Sequence, residues 1–248
     1  MTDRTIQVTT LLAQADLLLV LRDLIADADR ATRAVSTLDE ASLQELLTHA
    51  AIPANQALLQ RWADARPRQC ERIVADHSLL FEGAERCPLN QTAYIRRDKG
   101  AVLADVCGFY RAFGFEPSRG NGERPDHLAS ELEFVALLLV LLARAAEAGN
   151  EENVRITRDA VCAFVRDHLG EWMPAATTHL ADIGAGTAYE AIAELMDAIW
   201  IGLCSLHGWP TAPSMGAPQE HGDEQTPYEC AMIPSPVELT IDGMRPES

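Results

Sequence analysis

Three Asp-His dipeptides stand out in this sequence as pairs with reactive side chains. A carboxylate beside an imidazole can form part of a metal site or act as an acid/base pair. Adjacent residues of a helix point about 100° apart, so one dipeptide cannot chelate an ion without ligands from elsewhere. None of the seven histidines recurs at the i, i+4 or His-x-x-His spacing typical of helical metal ligands. A metal-dependent, all-helical hydrolase is therefore the alternative function, and the main prediction is a protein with no metal and no catalytic residue. The pairs are Asp76-His77, Asp126-His127 and Asp167-His168.

Other enzyme motifs are absent from the sequence. Gly184-Ala-Gly186 has no third glycine and no Lys-Ser/Thr after it, so it does not match a phosphate loop. A Gly-x-Ser-x-Gly run is also missing. The cysteines form no Cys-x-x-Cys pair, which argues against a zinc signature, and we expect reduced thiols in a cytoplasmic protein. They are Cys70, Cys87, Cys107, Cys162, Cys204 and Cys230.

The Asp126-His127 pair differs from the other two in its position. It follows Pro125 at the end of a glycine-bearing loop, predicted over 116–124, and it opens the most apolar helix of the chain. Asp126 fits the N-cap of that helix. His127 then lies one turn before Glu131, where a charge-assisted i, i+4 contact is expected. A histidine held near a carboxylate can switch its charge near neutral pH, which gives this pair a functional interpretation.

The elements that must position these residues are all helical. Apolar residues recur at helical spacing almost throughout, and the alternation typical of strands is missing except in the last few residues. The fold class predicted is all-α, a single-domain bundle of about eight to ten helices over residues 1–207. Seven of the 13 prolines fall in residues 208–248, which predicts a Pro-rich acidic tail that is flexible or docked on the body.

Local signals predict where several helices begin and end. Capping boxes at Thr37/Glu40 and Thr187/Glu190 predict two helix starts, and Pro67 predicts a break that divides residues 53–81 into two helices. Glycine and asparagine predict further ends and starts. The predicted helices are 11–28, 99–113 ending before Gly114, 126–148 ending at Gly149, and one from the Asn150 cap to about Trp172.

The charge of the chain excludes some partners. Twenty Lys+Arg against 37 Asp+Glu give a net charge of −17, of which −6 lies in the tail, so binding to nucleic acid or to an anionic membrane is not expected. The longest wholly apolar run, Phe134 to Ala143, has ten residues, whereas a membrane span needs about 20. An acidic surface either attracts a basic partner or only keeps the chain soluble.

One run of twelve residues, Glu123-Arg-Pro-Asp-His-Leu-Ala-Ser-Glu-Leu-Glu-Phe134, resembles the signature of the TorD/DmsD/NarJ-like family of redox-enzyme maturation chaperones. Two upstream segments agree with it in order and spacing. They are Leu80-Phe81-Glu82-Gly83 followed by Cys87-Pro88 and Tyr94, and Gly108-Phe-Tyr-Arg-Ala-Phe-Gly114. One segment departs from the family pattern of Cys-Pro-Pro-Tyr-Glu-Thr, since this chain reads Cys87-Pro88-Leu89-Asn90-Gln91-Thr92. The departure leaves open whether that loop contributes to the site or whether client preference has changed.

The resemblance implies a cytoplasmic chaperone without enzymatic activity or cofactor, a monomer or weak homodimer. Such proteins bind the twin-arginine signal peptide and the apo form of a molybdenum-cofactor oxidoreductase subunit, and hold it back from export until the cofactor is inserted. A leader with two arginines and an apolar stretch calls for carboxylates beside an apolar groove. We expect Asp126, Glu131 and Glu133 to be those carboxylates, with Pro125 and His127 shaping the rim. The groove wall is predicted from aromatic residues that could equally be plain core: Phe81, Tyr94, Tyr110, Phe113 and Phe134.

Overall fold

The protein is an all-α, single-domain bundle in the computed structural model, which describes residues 3–82, 86–117, 124–210 and 218. The described residues form ten helices and no strand, as the helical spacing predicts; one isolated bridge joins Asn90 to His127. No helix in these ranges is both long and apolar enough to span a membrane. The helices are α1 Asp3–Ala26, α2 Ala28–Thr37, α3 Glu40–His49, α4 Gln56–Phe81, α5 Gln91–Tyr94, α6 Lys99–Ala112, α7 Leu128–Glu147, α8 Glu151–Asp167, α9 Leu169–Ile183 and α10 Glu190–His207.

Helix α7 is the centre of the bundle. It packs along α1, and α8 and α9 contact it as well. Most of its apolar run from Phe134 to Ala143 is buried. On α1 the buried residues include Leu17, Leu18, Leu21, Leu24 and Ile25. Because two long apolar faces meet here, removal of hydrocarbon from water is the main force that holds the bundle together. The first residues of α7 are thereby fixed in space. They form the second half of the run Glu123 to Phe134, which is called the motif below.

The predicted start of a helix at Thr37 is wrong. Thr37 is the last residue of α2, and its hydroxyl donates to the carbonyl of Arg33 at 2.9 Å. The next helix is capped by Asp39, whose carboxylate accepts from the backbone N–H of Ser42 at 2.8 Å. A carboxylate at this position also interacts favourably with the helix dipole, which explains why Asp39 rather than Thr37 forms the cap.

Pro67 does not break the chain into two helices, because α4 runs without interruption from Gln56 to Phe81. Pro67 is exposed, whereas Trp62 and Ile73, on either side of it, are buried in the core. Packing of both halves on the same core compensates for the single backbone hydrogen bond that a proline cannot make.

Other predicted boundaries are confirmed or displaced. The helix predicted over 11–28 begins earlier, at Asp3, and ends at Ala26, and α7 begins at Leu128 instead of residue 126. Gly114 and Gly149 have φ of 63° and 66°, the left-handed conformation of helix ends, and Asn150 caps α8. The helix from Asn150 ends at Asp167, not near Trp172, because the backbone of His168 leaves the helical region and α9 begins at Leu169.

The predicted cap of the last helix is also displaced. The N-cap of α10 is Tyr189, although Thr187 and Glu190 still accept hydrogen bonds from backbone N–H groups of the turn before it. Most of the predicted 116–124 loop and of the 208–248 tail lies outside the described residues. At the start of the tail, Trp209 is buried and its ring stacks on that of His207 with a centroid distance of 4.5 Å.

Candidate functional site

The motif forms a short bridge with the segment that precedes α5. The backbone N–H of Gln91 donates to the carbonyl of Asp126 at 2.9 Å, and the N–H of Leu128 donates to the carbonyl of Leu89 at 2.8 Å. Two segments about 36 residues apart in sequence are thus joined at the N-terminus of α7. The segment Leu89 to Gln91, which departs from the family pattern, therefore contributes directly to the structure of the motif.

Asp126 is the residue on which this bridge is centred. Its side chain is wholly buried, and Oδ2 accepts from the backbone N–H of Thr92 at 3.1 Å and from the hydroxyl of Thr92 at 2.8 Å. Its Oδ1 accepts from the side-chain amide of Asn90 at 3.3 Å. The prediction that Asp126 caps α7 is wrong, since its carboxylate is turned toward Asn90 and Thr92.

A guanidinium group occupies the remaining side of the Asp126 carboxylate. Arg124 Nε lies 3.2 Å from Oδ1, and Arg124 Nη2 lies 3.4 Å from Oδ2 and 2.8 Å from the hydroxyl oxygen of Thr92. This two-point contact is the fork geometry in which arginine binds carboxylates. The Arg124 side chain is 47% exposed, whereas that of Asp126 is inaccessible. The Asp126 carboxylate thus binds a guanidinium group, and that group belongs to an arginine of the same chain.

His127 is the N-cap of α7. Its Nδ1 accepts from the backbone N–H of Ala129 at 3.2 Å. Burial, with a smaller effect of the neighbouring His77, lowers the pKa of His127 to about 4, although Asp126 acts in the opposite direction. The imidazole is therefore neutral at pH 7. This contradicts both the predicted charge switch near neutral pH and the predicted charge-assisted contact with Glu131.

Glu131 is buried inside the bundle and is not part of an open rim. Its Oε2 accepts from the indole N–H of Trp172 at 3.0 Å. Burial raises the pKa of Glu131 well above its ordinary value, with a further contribution from the charge of Asp126, and the Trp172 bond only partly offsets this. The carboxyl group is thus enclosed by the bundle and bonded to Trp172, so in this conformation it is not accessible to a ligand.

Glu133 is the most accessible of the three predicted carboxylates. Its side chain is 23% exposed, and Oε2 lies 3.4 Å from Arg22 Nη1 on α1. Two of the predicted carboxylates, Asp126 and Glu133, therefore contact arginines of the chain itself. The third, Glu131, contacts a tryptophan.

The predicted aromatic residues do not form one wall. Tyr94 packs on Trp172, Phe81 packs on Tyr189, and a third group surrounds Phe134. The third group contains Tyr110, whose hydroxyl donates to the carbonyl of Pro125 at 2.8 Å. Tyr94, Tyr110 and Phe134 are buried, which favours the core alternative for them; Phe81 and Phe113 are half-buried against the core. Their part in peptide binding stays a prediction.

Two surface cavities lie away from the motif. One of about 680 Å³ is found between α2, α3 and α4, and another of about 330 Å³ lies between α4 and α10. Neither is lined by a residue of the motif. The predicted apolar groove beside the motif is therefore not represented by either of these cavities.

Sequence reasoning missed Arg124, Asn90, Thr92 and Trp172 as partners of the site. The charge pattern could have indicated Arg124 as a partner of Asp126, because the two oppositely charged residues are only two positions apart. Asn90 and Thr92 could not be found in this way, because their contacts arise only when distant segments pair.

The Asp-His pairs do not meet in a metal site within the described ranges. Asp76 binds Arg72 and the backbone N–H of Ala188, and Asp167 binds Arg166. Among described residues no group of three or more His, Cys, Asp or Glu side chains is placed to hold a metal ion. The five cysteines that the structure describes are free thiols.

Comparisons with known proteins agree on one family. Residues 31–178 match the family described as the nitrate reductase delta subunit. The chain is 30% identical over 123 residues to the selenate reductase assembly chaperone protein of Thauera selenatis, covering 48% of this chain and 58% of that protein. It is 30% identical over 95 residues to the chlorate reductase assembly chaperone protein of Ideonella dechloratans, covering 38% and 44%.

A longer alignment links the chain to the chaperone protein TorD of Vibrio cholerae, with 27% identity over 161 residues, 63% of this chain and 69% of that protein. The chain thus spans about half the length of the first two relatives. No solved structure gives a significant match.

Proposed function

Because the chain belongs to the nitrate reductase delta subunit family, we propose that it is an assembly chaperone of a molybdenum-cofactor oxidoreductase. It binds the apo form of the catalytic subunit in the cytoplasm, before export, and performs no chemical step. Three relatives named as chaperones, two of them for the assembly of reductases, support this proposal.

The ligand proposed for the motif is the twin-arginine signal peptide of that subunit. The observation that carries this step is the Asp126 carboxylate, which is held by Asn90 and Thr92 and binds a guanidinium group through two contacts. Hydrogen bonds to charged groups contribute about 1.5–3 kcal/mol each, more than bonds between neutral groups. Lysine cannot make the same two-point contact, so such a site selects arginine over lysine.

The charge of the whole protein supports the same ligand. The net charge of −17 attracts a basic segment over distances longer than any single contact. Attraction of this kind raises the association rate more than it raises the affinity.

Titration of a synthetic twin-arginine peptide into the full chain tests the proposed site. For Asp126→Asn we expect binding weaker by about 2 kcal/mol or more, roughly 30-fold, because the neutral amide cannot compensate the charge of the guanidinium. Asp159→Asn is the matched control, since Asp159 is an exposed carboxylate paired with an arginine on α8. Its affinity for the peptide should stay within about twofold of wild type.

A change on the peptide side is independent of how well the variant folds. Replacing both leader arginines by lysine should weaken binding to the unaltered chain by a similar factor. Equal affinity for the two peptides, or unchanged affinity of a folded Asp126→Asn protein, would refute the proposed site.

The client is identified by co-purification from the native cell, where an oxidoreductase catalytic subunit should accompany the chain.

Elemental analysis of the purified protein tests the hydrolase alternative. Stoichiometric metal would support that alternative and contradict the chaperone proposal.

A further inference from the structure

The guanidinium site at Asp126 is filled by Arg124 before any ligand arrives. We propose that Arg124 is an internal competitor, an arginine that occupies the Asp126 carboxylate in the free chain and is displaced by an arginine of the bound peptide. This inference rests on the proposed function, because it names the group that a twin-arginine leader must replace.

The position of the Asp126 carboxylate does not depend on Arg124. Three donors from Asn90 and Thr92 hold the Asp126 carboxylate, and the bridge between Leu89 and Leu128 fixes the backbone around it. When Arg124 leaves, the carboxylate keeps its position and these hydrogen bonds. It would then be a buried charge without a counter-charge, which is strongly unfavourable. The vacated site therefore favours another cation, and its two-oxygen geometry suits a guanidinium group.

The contacts of Arg124 with the Asp126 carboxylate are longer than those of a strong ion pair. Its two contacts with the carboxylate measure 3.2 and 3.4 Å, whereas strong contacts between charged nitrogen and oxygen are about 2.7–2.9 Å. Its shortest bond, 2.8 Å, goes to the neutral hydroxyl of Thr92. Displacement of Arg124 therefore breaks two long contacts with the carboxylate and one short hydrogen bond to a neutral hydroxyl.

Exposure shows the direction from which a ligand would enter. Asp126 has no accessible side-chain surface, and Arg124 covers it with a side chain that is 47% exposed. The side of the carboxylate that Arg124 covers is therefore the side that faces solvent. An incoming arginine can approach from this side only if Arg124 moves out, so the two groups exclude each other.

Competition of this kind lowers the apparent affinity by the fraction of molecules in which the site is open. Removing the competitor should raise that fraction, so the peptide should bind faster, while its dissociation from Asp126 should change little. The expected gain for Arg124→Gln is about tenfold in affinity, mainly in the association rate.

The experiment compares binding kinetics of the twin-arginine peptide to full-length wild type, Arg124→Gln, Arg124→Lys and Arg155→Gln. Arg155→Gln is the matched control, because Arg155 is an exposed arginine paired with Asp159 and its loss changes the net charge by the same amount. Arg124→Lys keeps the positive charge beside Asp126 but loses the fork, so its affinity should lie between wild type and Arg124→Gln. This variant also keeps the test informative if Arg124→Gln fails to fold.

Displacement is observed directly through the side-chain Nε–H resonance of Arg124 in an isotopically labelled sample. The resonance should change when the peptide is added, and addition of the twin-lysine peptide should change it less. Affinity of folded Arg124→Gln equal to or below that of the Arg155→Gln control would overturn the inference. An Arg124 resonance that is unaffected by bound peptide would overturn it as well.

Different binding results refute the role of Arg124 as a competitor and the proposed peptide site. If wild type binds the twin-arginine peptide in a manner that depends on Asp126, but Arg124→Gln gains nothing, only the competitor is refuted. If none of the variants binds the twin-arginine peptide more tightly than the twin-lysine peptide, both are refuted.

Discussion

At the scale of single residues, burial changes the chemistry that the motif suggests from its residue types. Asp126, His127 and Glu131 are all ionisable, yet the pKa of His127 is lowered to about 4 and that of Glu131 is raised well above its ordinary value. Desolvation is the largest cause in both cases. Asp126, in contrast, has a cationic partner, Arg124.

The lowered pKa of His127 predicts a loss of stability in acid. The unfolded chain binds a proton at His127 near pH 6.5, whereas the folded chain binds it only near pH 4. The stabilisation is fully present above pH 6.5 and is lost as pH falls toward 4, by about 3 kcal/mol at most. His127→Asn keeps an N-cap acceptor and removes the titration.

Urea unfolding of wild type and His127→Asn between pH 7 and pH 4 measures this difference. The free energy of unfolding of wild type should fall relative to that of the variant as the pH decreases. Parallel curves for the two proteins would show that His127 titrates normally in the folded state.

At the scale of helices, tertiary packing overrides local signals in both directions. Helix α4 continues through Pro67 because Trp62 and Ile73 pack on one core. The helix from Asn150, in contrast, ends at Asp167. His168 is buried there, with its ring nitrogens 3.2 Å from Gln91 Oε1 and 3.1 Å from Asp105 Oδ2. Gly170 follows the break, and a Cβ at that position would lie only 2.6 Å from the carbonyl oxygen of Val165. Tertiary polar contacts and a close backbone approach therefore accompany this break.

We expect Pro67 to make the free energy of unfolding lower than alanine at the same position of α4 would. Pro67→Ala restores the N–H that can donate to the carbonyl of Ala63 and removes the steric conflict of the ring. We expect the free energy of unfolding to rise by about 1–3 kcal/mol, measured by denaturant titration. Glu71→Ala, at another exposed position of α4, should change it by less than about 0.5 kcal/mol. An unchanged or lower value for Pro67→Ala would indicate that the proline ring makes a necessary packing contact.

At the scale of the whole molecule, the chain is acidic, and its Asp126 carboxylate binds a guanidinium group of the chain itself. In the proposed peptide binding, the net charge of −17 acts at long range, whereas Asp126 acts only in contact. Long-range attraction is screened by salt, with a Debye length of about 10 Å at 0.1 M. The two contributions are therefore separable by ionic strength.

Peptide binding should become slower in salt while its dissociation rate changes little. Between about 0.05 and about 0.5 M NaCl we expect the association rate of the twin-arginine peptide to fall roughly tenfold. Stopped-flow or surface-based kinetics measure both rates. A dissociation rate that rises by the same factor, with a constant association rate, would contradict steering by the net charge.

The sequence by itself determined the fold class, most helices and the family resemblance. Apolar spacing is a local property, and glycines or asparagines such as Gly114, Gly149 and Asn150 act within one turn of helix. The run from Glu123 to Phe134 likewise identified the segment on which the proposed site depends.

Only the tertiary structure decided what that segment does in the folded chain. Asn90 and Thr92 reach Asp126 because two segments pair, and Trp172 reaches Glu131 because α9 packs against α7. Burial then sets which groups are charged, and it is a property of every element around a residue. A sequence window cannot contain that information, since the neighbours that remove water from Glu131 and His127 come from distant parts of the chain.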